Sequence, residues 1–389
     1  MSLWVTLGGV SQALLGLVEI VLYTFIAYQG GVSGTSLALL AAAWSFVFFV
    51  ASRLMAPSAE AGCNKGLGLV ALVSMIASVV SFAALRSLIG AAAAFLFHAV
   101  ASASLSVSLG LTSMEYTEYR YWVRIDIVER ILSLLFIGAV LVALGRRIVT
   151  WSPLEMMLAG LGAVAAYYAA IPPVVLDFER RYYRFNRYVE SIRGYVHAMS
   201  VLSYIGSPRV MEAAYSRIRA RIPSYLSPER VALGALLATA VGEYIMAVLP
   251  VNMRDIMALT TLWQGYGYAA IITAIALLPI ALTQRTSPVL AGSLSLLRGV
   301  VLVAFFPLLR TIRDIALYVA ASSILFGIID AILANYFVDA AYARRGTFYQ
   351  AMREIGSVVG PLLAAALYGT GLFGPVAITL AIFSLIVLL

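Results

Sequence analysis

Twelve long apolar stretches divide this sequence, and they restrict it to very few folds. A helix that crosses a lipid bilayer needs about 20 mostly apolar residues, and each stretch is close to that length. Only 11% of the 389 residues are Asp, Glu, Lys or Arg, so a soluble protein would lack the charges to cover its surface. We therefore expect an all-α polytopic membrane protein with 12 transmembrane helices. The predicted spans are residues 4–28, 36–56, 67–84, 87–112, 131–145, 153–176, 229–250, 257–283, 287–308, 314–338, 351–370 and 373–389.

Two of the predicted helices carry clear start signals. Ser152 precedes Pro153 and stands three residues before Glu155, which is the pattern of a capping box with proline at the first helical position. Ser227 and Pro228 open the seventh stretch in a similar way. These patterns predict helices that begin directly after Ser152 and Ser227.

One long polar stretch separates the first six spans from the last six. Residues 177–228 hold nine of the 26 basic residues, and apolar residues recur there every three or four positions. This spacing predicts an amphipathic helix on the inner membrane surface, where anionic lipids attract basic side chains. The expected domains are an N-terminal six-helix bundle (1–176), a cytoplasmic basic amphipathic linker (177–228) and a C-terminal six-helix bundle (229–389). Both termini are then cytoplasmic.

The two halves of the chain resemble each other when the sequence is shifted by 224 residues. Glu19 then aligns with Glu243, and Arg120 aligns with Arg344. Charged residues are rare in this chain, so these matches carry more weight than apolar ones. They predict a six-plus-six duplication, with parallel halves related by an axis along the membrane normal.

The sequence around the start of the eleventh span resembles that of a known protein family. Arg344 and Arg345 precede a Gly-Thr pair, and residues 354–362 read EIGSVVGPL. This text is similar to the tenth-to-eleventh helix loop and the Gly-Pro-bearing eleventh helix of the major facilitator superfamily. The second-to-third loop of this chain keeps only basic residues and a glycine of the family's usual motif, so no subfamily is indicated. The resemblance implies a 12-helix transporter that is a monomer and not an enzyme.

Four ionisable side chains lie within apolar spans, namely Glu19, Glu243, Arg298 and Asp330. Each costs about 2.5–3.5 kcal/mol at the centre of a membrane helix on insertion scales, so such residues usually pair, meet water or perform a function. A buried carboxyl group that exchanges a proton near neutral pH can couple transport to proton movement, and paired glutamates can attract a cation. The alternative is a structural hydrogen bond or ion pair between helices, such as one between Arg298 and Asp330.

Further polar residues belong to the same candidate site. Gln12, Glu19 and Tyr23 share one face of the first helix, because they are spaced by seven and four residues. His98 lies in the fourth helix, where a buried hydrogen-bonded histidine is the simpler interpretation. In the major facilitator fold, the first, fourth, seventh and tenth helices line the central cavity. The resemblance therefore implies that these residues and the acids of the seventh and tenth helices bind substrate or protons.

Charged residues also cluster at the predicted inner ends of the helices. One hypothesis is an inner gate of salt bridges between the halves, with Arg120, Arg344 and Arg345 as gating residues. The simpler interpretation is a solvated surface with local ion pairs.

The sequence thus predicts a secondary active transporter that moves a small solute across the plasma membrane by alternating access. Its expected partners are that solute, protons as candidate coupling ions, and membrane lipids. The net charge of +8 fits loops at an anionic membrane surface rather than nucleic-acid binding. One cysteine and two histidines exclude the common metal sites, and no cofactor is expected. The alternatives are an integral membrane lipid-modifying enzyme, for which no catalytic motif is present, a lipid scramblase and a non-transporting receptor.

Overall fold

The structure is a computed structural model, in which all regular elements of the described residues are helical. The described residues are 3–29, 31–85, 87–116, 122–171, 227–279, 287–340 and 346–389. Nearly all of the predicted linker, 177–228, lies outside these ranges. The predicted gating residues Arg120, Arg344 and Arg345 lie outside them as well.

Six helices form the first half of the described chain and seven form the second half. The first six are α1 (Leu3–Ala27), α2 (Gly34–Glu60), α3 (Asn64–Leu85), α4 (Leu88–Tyr116), α5 (Trp122–Gly145) and α6 (Pro153–Ala170). The others are α7 (Pro228–Met246), α8 (Leu249–Arg254), α9 (Leu259–Leu277), α10 (Pro288–Phe305), α11 (Ile312–Ala340), α12 (Gly346–Leu367) and α13 (Phe373–Leu388). We call the end of the molecule where α1 ends and α2 begins the distal end. The opposite end, where α1 begins, is the proximal end.

Both predicted helix starts are confirmed. The Ser152 Oγ accepts a hydrogen bond from the Glu155 amide at 3.3 Å, and the Glu155 carboxylate accepts one from the Ser152 amide at 2.6 Å. This reciprocal pair satisfies two amides that the first turn of α6 leaves without partners. The Ser227 Oγ likewise accepts a hydrogen bond from the Arg230 amide at 3.3 Å. Local sequence therefore determines where α6 and α7 begin.

Several helix boundaries differ by a few residues from the apolar stretches that predicted them, and two of these differences have a clear physical reason. The fifth stretch was expected to begin at residue 131, but α5 begins at Trp122, because a helix continues through charged residues that an apolar criterion leaves out. The seventh stretch, predicted as one span over 229–250, is divided after Met246 into α7 and α8. Pro250 stands in the first turn of α8, where its missing amide hydrogen costs nothing.

Nine helices of the described residues are long and apolar enough to cross a membrane. The chain is therefore a multi-pass membrane protein. The helix α12 is not among these nine, and it carries Arg353 and Glu354 in its first half. The other outward faces are apolar: on α3, the exposed side chains Leu69, Val73, Ile76 and Val80 follow one another at spacings of four and three. Such a stripe suits contact with lipid tails rather than with water.

Helices of the two halves pack directly against each other at two seams. In one seam α2 packs against α12, and in the other α5 packs against α9. The α5–α9 seam is very close, because a Cβ on Gly138 would lie 2.8 Å from the Gly267 carbonyl oxygen. The α2–α12 seam instead carries polar side chains and borders the cavity described next.

Candidate functional site

A cavity of about 160 Å³ lies between α2, α7, α11 and α12. Its aromatic wall consists of Trp44, Phe48 and Phe326, and its polar wall includes Thr239, Glu243, Gln350, Arg353 and Glu354. A second cavity, of about 410 Å³, lies at the distal end beside α2 and α4 and is lined by leucine, isoleucine and other small or apolar residues. A solute site needs a few convergent polar groups, so the smaller cavity is the candidate site although it is not the larger of the two.

Glu243 reaches this cavity from the last turn of α7. The backbone of α12 approaches the backbone of α7 closely beside Glu243. A Cβ on Gly356 would clash with the Leu236 carbonyl, and a Cβ on Gly360 would lie 2.6 Å from the Ala240 carbonyl oxygen. The Glu243 side chain is exposed, and it lines the cavity. A carboxyl group at the centre of an apolar bundle therefore meets water or a solute rather than lipid.

Glu19 lies on α1 within electrostatic range of Glu243. Four residues further along each helix, the Tyr23 hydroxyl donates a hydrogen bond to the Ala247 carbonyl at 2.5 Å. Because residues four apart share a helix face, the two glutamates lie one turn below the point where α1 meets the end of α7. The structure therefore brings together three of the predicted residues, Glu19, Tyr23 and Glu243.

Arg298 of α10 is buried beside α7, with only 7% of the residue exposed. Its Nε donates a hydrogen bond to the Ser322 hydroxyl at 3.0 Å, and its Nη1 donates one to the Ala238 carbonyl at 2.8 Å. Gly242 makes room for it, since a Cβ there would collide with the guanidinium group. Arg298 is also within electrostatic range of Glu243, so it supplies a positive charge behind the carboxylate.

Phe326 separates this arginine from a second one. The Arg298 Cζ lies 4.7 Å from the centroid of the Phe326 ring, and the Arg353 Cζ lies 5.8 Å from it. Guanidinium groups favour the faces of aromatic rings at such distances. On α2, Trp44 stacks on Phe48 with a centroid separation of 5.4 Å. The cavity thus combines aromatic surfaces with both signs of charge.

Asp330 lies toward the proximal end, where it binds two arginines of different helices. Its carboxylate lies 3.1 Å from the Arg130 Nη2 of α5 and 3.3 Å from the Arg353 Nε of α12. The Tyr349 hydroxyl donates a third contact at 3.1 Å. The sequence-based alternative that paired Asp330 with Arg298 is therefore wrong, because Arg298 is turned toward α7 and Ser322 instead.

Glu354 joins the same end of the α2–α12 seam. Its carboxylate accepts a hydrogen bond from the Ser52 hydroxyl at 3.2 Å and lies 3.9 Å from the Arg53 guanidinium. The Gln350 amide donates to its other oxygen at 3.3 Å. Asp330 and Glu354 therefore both link the first half of the chain to the second half at the proximal end.

His98 and Gln12 both make contacts between α1 and α4. His98 is fully buried, and its Nε2 donates to the Leu15 carbonyl at 3.0 Å. His98 therefore packs between α4 and α1, and its ring centroid lies 6.5 Å from that of Trp44, which belongs to the aromatic wall of the cavity. The Gln12 amide donates to the Ser106 hydroxyl of α4 at 3.3 Å.

Sequence reasoning missed the aromatic wall of the cavity. Trp44, Phe48 and Phe326 stand among many aromatic residues in apolar spans, so no local pattern distinguishes them. The nearest available signal was the pairing of Arg353 with Glu354 in an otherwise apolar helix. Within the part of the chain that the structure describes, no group of three or more His, Cys, Asp or Glu residues is arranged to hold a metal ion.

The sequence matches no protein-family model and no curated protein. Its fold, however, matches solved structures. A POT family transporter in complex with a thioalcohol conjugated peptide has a TM-score of 0.58 and 10% sequence identity, with 99% of this chain and 93% of that chain covered. A POT family transporter in complex with 5-aminolevulinic acid has a TM-score of 0.56, the same identity and the same coverage.

The chain has the major facilitator fold. The resemblance inferred from residues 344–347 and 354–362 is therefore confirmed at the level of the fold. Both similar structures are of transporters. An identity of 10% carries neither the substrate nor the coupling of those transporters over to this protein.

Proposed function

We propose that this protein is a secondary active transporter, which moves a small solute by alternating access of the Glu243 cavity to the two sides of the membrane. The observation that carries the proposal is a cavity with both signs of charge, which lies between helices of both halves of a major facilitator fold. We further propose 12 spans in two six-helix bundles, 1–176 and 229–389, joined by a cytoplasmic linker, 177–228. Both termini are cytoplasmic, the protein is a monomer and it resides in the plasma membrane.

The chemistry of the cavity favours a solute that carries an amino group and a carboxylate. Glu243 and Glu354 offer acceptors for an ammonium group, and Arg353 offers a donor for a carboxylate. The volume of about 160 Å³ holds about five water molecules at ~30 Å³ each, which suits a solute of amino-acid size. Of the two similar structures, one holds a peptide conjugate and the other holds 5-aminolevulinic acid. The aromatic wall accommodates the apolar part of such a solute.

We assign proton coupling to Glu19 and Glu243. The two carboxyl groups lie within electrostatic range of each other, and Glu243 also lies near Arg298 and borders the solute cavity. Like charges at short range favour binding of a proton by one member of the pair. Uptake of a proton and binding of an ammonium group therefore compete at the same place, which is the physical basis for coupling. Gln12 and Tyr23 line the approach to this pair from α1.

The test begins with a thermal-stability screen of the purified protein against amino acids, dipeptides and matched compounds that lack either the amine or the carboxylate. A ligand at about 100 times its Kd stabilises the protein by about 2.7 kcal/mol, so a true ligand raises Tm clearly. The best ligand is then used in radiolabelled form for uptake into proteoliposomes with an imposed pH gradient. We expect uptake to follow the gradient and to be lost in Glu243→Gln.

Glu155→Gln is the matched control for this experiment. It removes one carboxylate from an exposed helix start, and glutamine also serves in a capping box. Glu19→Gln and Glu155→Gln should fold like the wild type, but only the former should uncouple uptake from the gradient. Undiminished gradient-driven uptake in Glu19→Gln with Glu243→Gln would refute the coupling role, and stabilisation by lipids alone would favour a scramblase.

A further inference from the structure

At the distal end of the molecule, one arginine of the second half makes hydrogen bonds to the first half. Arg254, the last residue of α8, directs its Nη1 toward three backbone carbonyls of the first half. The distances are 3.3 Å to Ala27, 3.3 Å to Gln29 and 3.1 Å to Val32. Its Nε lies 3.6 Å from the carboxylate of its neighbour Asp255, which is itself 82% exposed.

These three carbonyls lie where α1 ends and the chain turns into α2. The last carbonyls of a helix have no partner within the helix, and the end of the helix carries a partial negative charge. A guanidinium group can donate hydrogen bonds to these carbonyls and can also neutralise the partial negative charge, because it has several donors and a permanent positive charge. Arg254 therefore caps α1 from a helix that follows it by more than 220 residues in the sequence.

Other contacts at the distal end also use neutral acceptors. The Tyr28 hydroxyl donates to the Met257 carbonyl at 3.0 Å, and the Trp263 Nε1 donates to the Thr24 hydroxyl at 2.8 Å. Both connect α1 to the stretch from α8 to α9. The proximal end differs, since its links between the halves run through the carboxylates of Asp330 and Glu354. The two ends are thus closed by different chemistry.

We propose that Arg254 is a latch, which holds the distal end closed by capping α1 and must release these carbonyls before that end opens. The proposal rests on the proposed function, because only a protein that alternates its access needs to open the distal end. The Glu19–Glu243 pair lies one helical turn below the neighbouring Tyr23–Ala247 contact. Release of the latch therefore admits water or solute from the distal end to the proposed coupling residues.

The test measures the distance across the distal end by double electron–electron resonance. Spin labels are attached at Ile148→Cys and Leu308→Cys in a Cys63→Ser background, since both positions are exposed and lie at the distal end in different halves. In Arg254→Gln we expect the ratio of long-distance to short-distance populations to rise about tenfold, because a charge-assisted contact is lost. Arg254→Lys keeps the positive charge but loses the planar set of guanidinium donors, so we expect a smaller rise in this ratio.

Arg310→Gln is the matched control, because Arg310 is an exposed arginine at the same end. Its backbone amide donates to the Asp314 carboxylate at 3.1 Å, and its side chain makes no hydrogen bond to another of the described residues. An unchanged distance distribution in both Arg254 variants, with Tm intact, would overturn the latch, and so would an equal shift in Arg310→Gln. If Arg254→Gln does not fold, Arg254→Lys with Tyr28→Phe decides the question. The spin-label distances are measured without any transport assay. A shifted distance distribution in the Arg254 variants together with no solute uptake by the wild type would therefore support the latch and contradict the proposed transport function.

Discussion

At the scale of single residues, the position of Glu243 depends on the residue before it. Gly242 has no side chain, and the guanidinium of Arg298 occupies the space that a Cβ would fill. From there Arg298 reaches the Ala238 carbonyl on one side and the Ser322 hydroxyl on the other. A charge that would be costly in a membrane thus makes two hydrogen bonds and lies within electrostatic range of an acid. Glycine at position 242 is a requirement of this arrangement.

Replacement of Gly242 by alanine should therefore displace Arg298. Overpacking costs about 1–3 kcal/mol, and the better helix propensity of alanine returns up to about 1 kcal/mol, so we expect a net loss of stability of about 1 kcal/mol. Gly162→Ala is the control, since nothing lies within 4 Å of a Cβ at that helical glycine. It should be neutral or slightly stabilising. Thermal unfolding of both variants measures the difference, and equal Tm values would contradict the arrangement around Arg298.

At the scale of elements, helix starts follow from their own sequence and helix packing does not. The α6 start is a self-contained unit, in which Ser152 and Glu155 satisfy each other's backbone amides. By contrast, the contact of α12 with α7 needs glycines on one helix to meet backbone carbonyls on another. Only the first kind of feature is visible in a short stretch of sequence.

The Glu155 carboxylate gives the α6 capping box a defined pH dependence. Its ionised form accepts the hydrogen bonds of Ser152, so this contribution to stability is present at pH 7 and is lost as the carboxyl group becomes protonated at acidic pH. Ser152→Ala should therefore lower Tm at pH 7, and the difference from the wild type should shrink under acidic conditions. Thermal unfolding of both proteins across that pH range tests the expectation. A difference that grows toward low pH would contradict it.

At the scale of the whole molecule, the two halves are joined at both ends around the Glu243 cavity. The distal contacts run through Arg254, Tyr23 and Tyr28, and the proximal contacts run through Asp330 and Glu354. A transporter that alternates its access must break one set while it keeps the other. Under the proposed function, the balance between the two sets determines which side of the membrane has access to the cavity.

Asp330→Asn should shift this balance toward opening at the proximal end. Charge-assisted hydrogen bonds contribute about 1.5–3 kcal/mol, and we expect the lower part of this range because the Arg130 side chain is 31% exposed. Spin labels at the native Cys63 and at Leu278→Cys, both exposed residues of the proximal end, report the distance. Asp255→Asn, which changes an exposed acid at the distal end, should leave this distance unchanged. If Asp330→Asn also leaves it unchanged, Asp330 is not part of a proximal gate.

The sequence by itself determined the membrane class, most helix positions, two helix starts and the charged residues that merit attention. These features depend on apolar length, on helical spacing and on local hydrogen bonds, all of which a short stretch contains. Glu19, Tyr23 and Glu243 were found in this way, because charge is rare in apolar spans. The alignment of the two halves at an offset of 224 residues also matched Glu19 with Glu243, and the structure places these two residues within electrostatic range of each other.

Only the tertiary structure decided which residues meet. Asp330 binds Arg130 and Arg353 rather than Arg298, and the aromatic wall of Trp44 and Phe326 has no signal in the sequence. The capping of α1 by Arg254 is equally invisible, because the carbonyls it binds belong to the backbone. Contacts between segments some 200 residues apart depend on how helices pack, and helices pack through small shape differences that periodicity does not record.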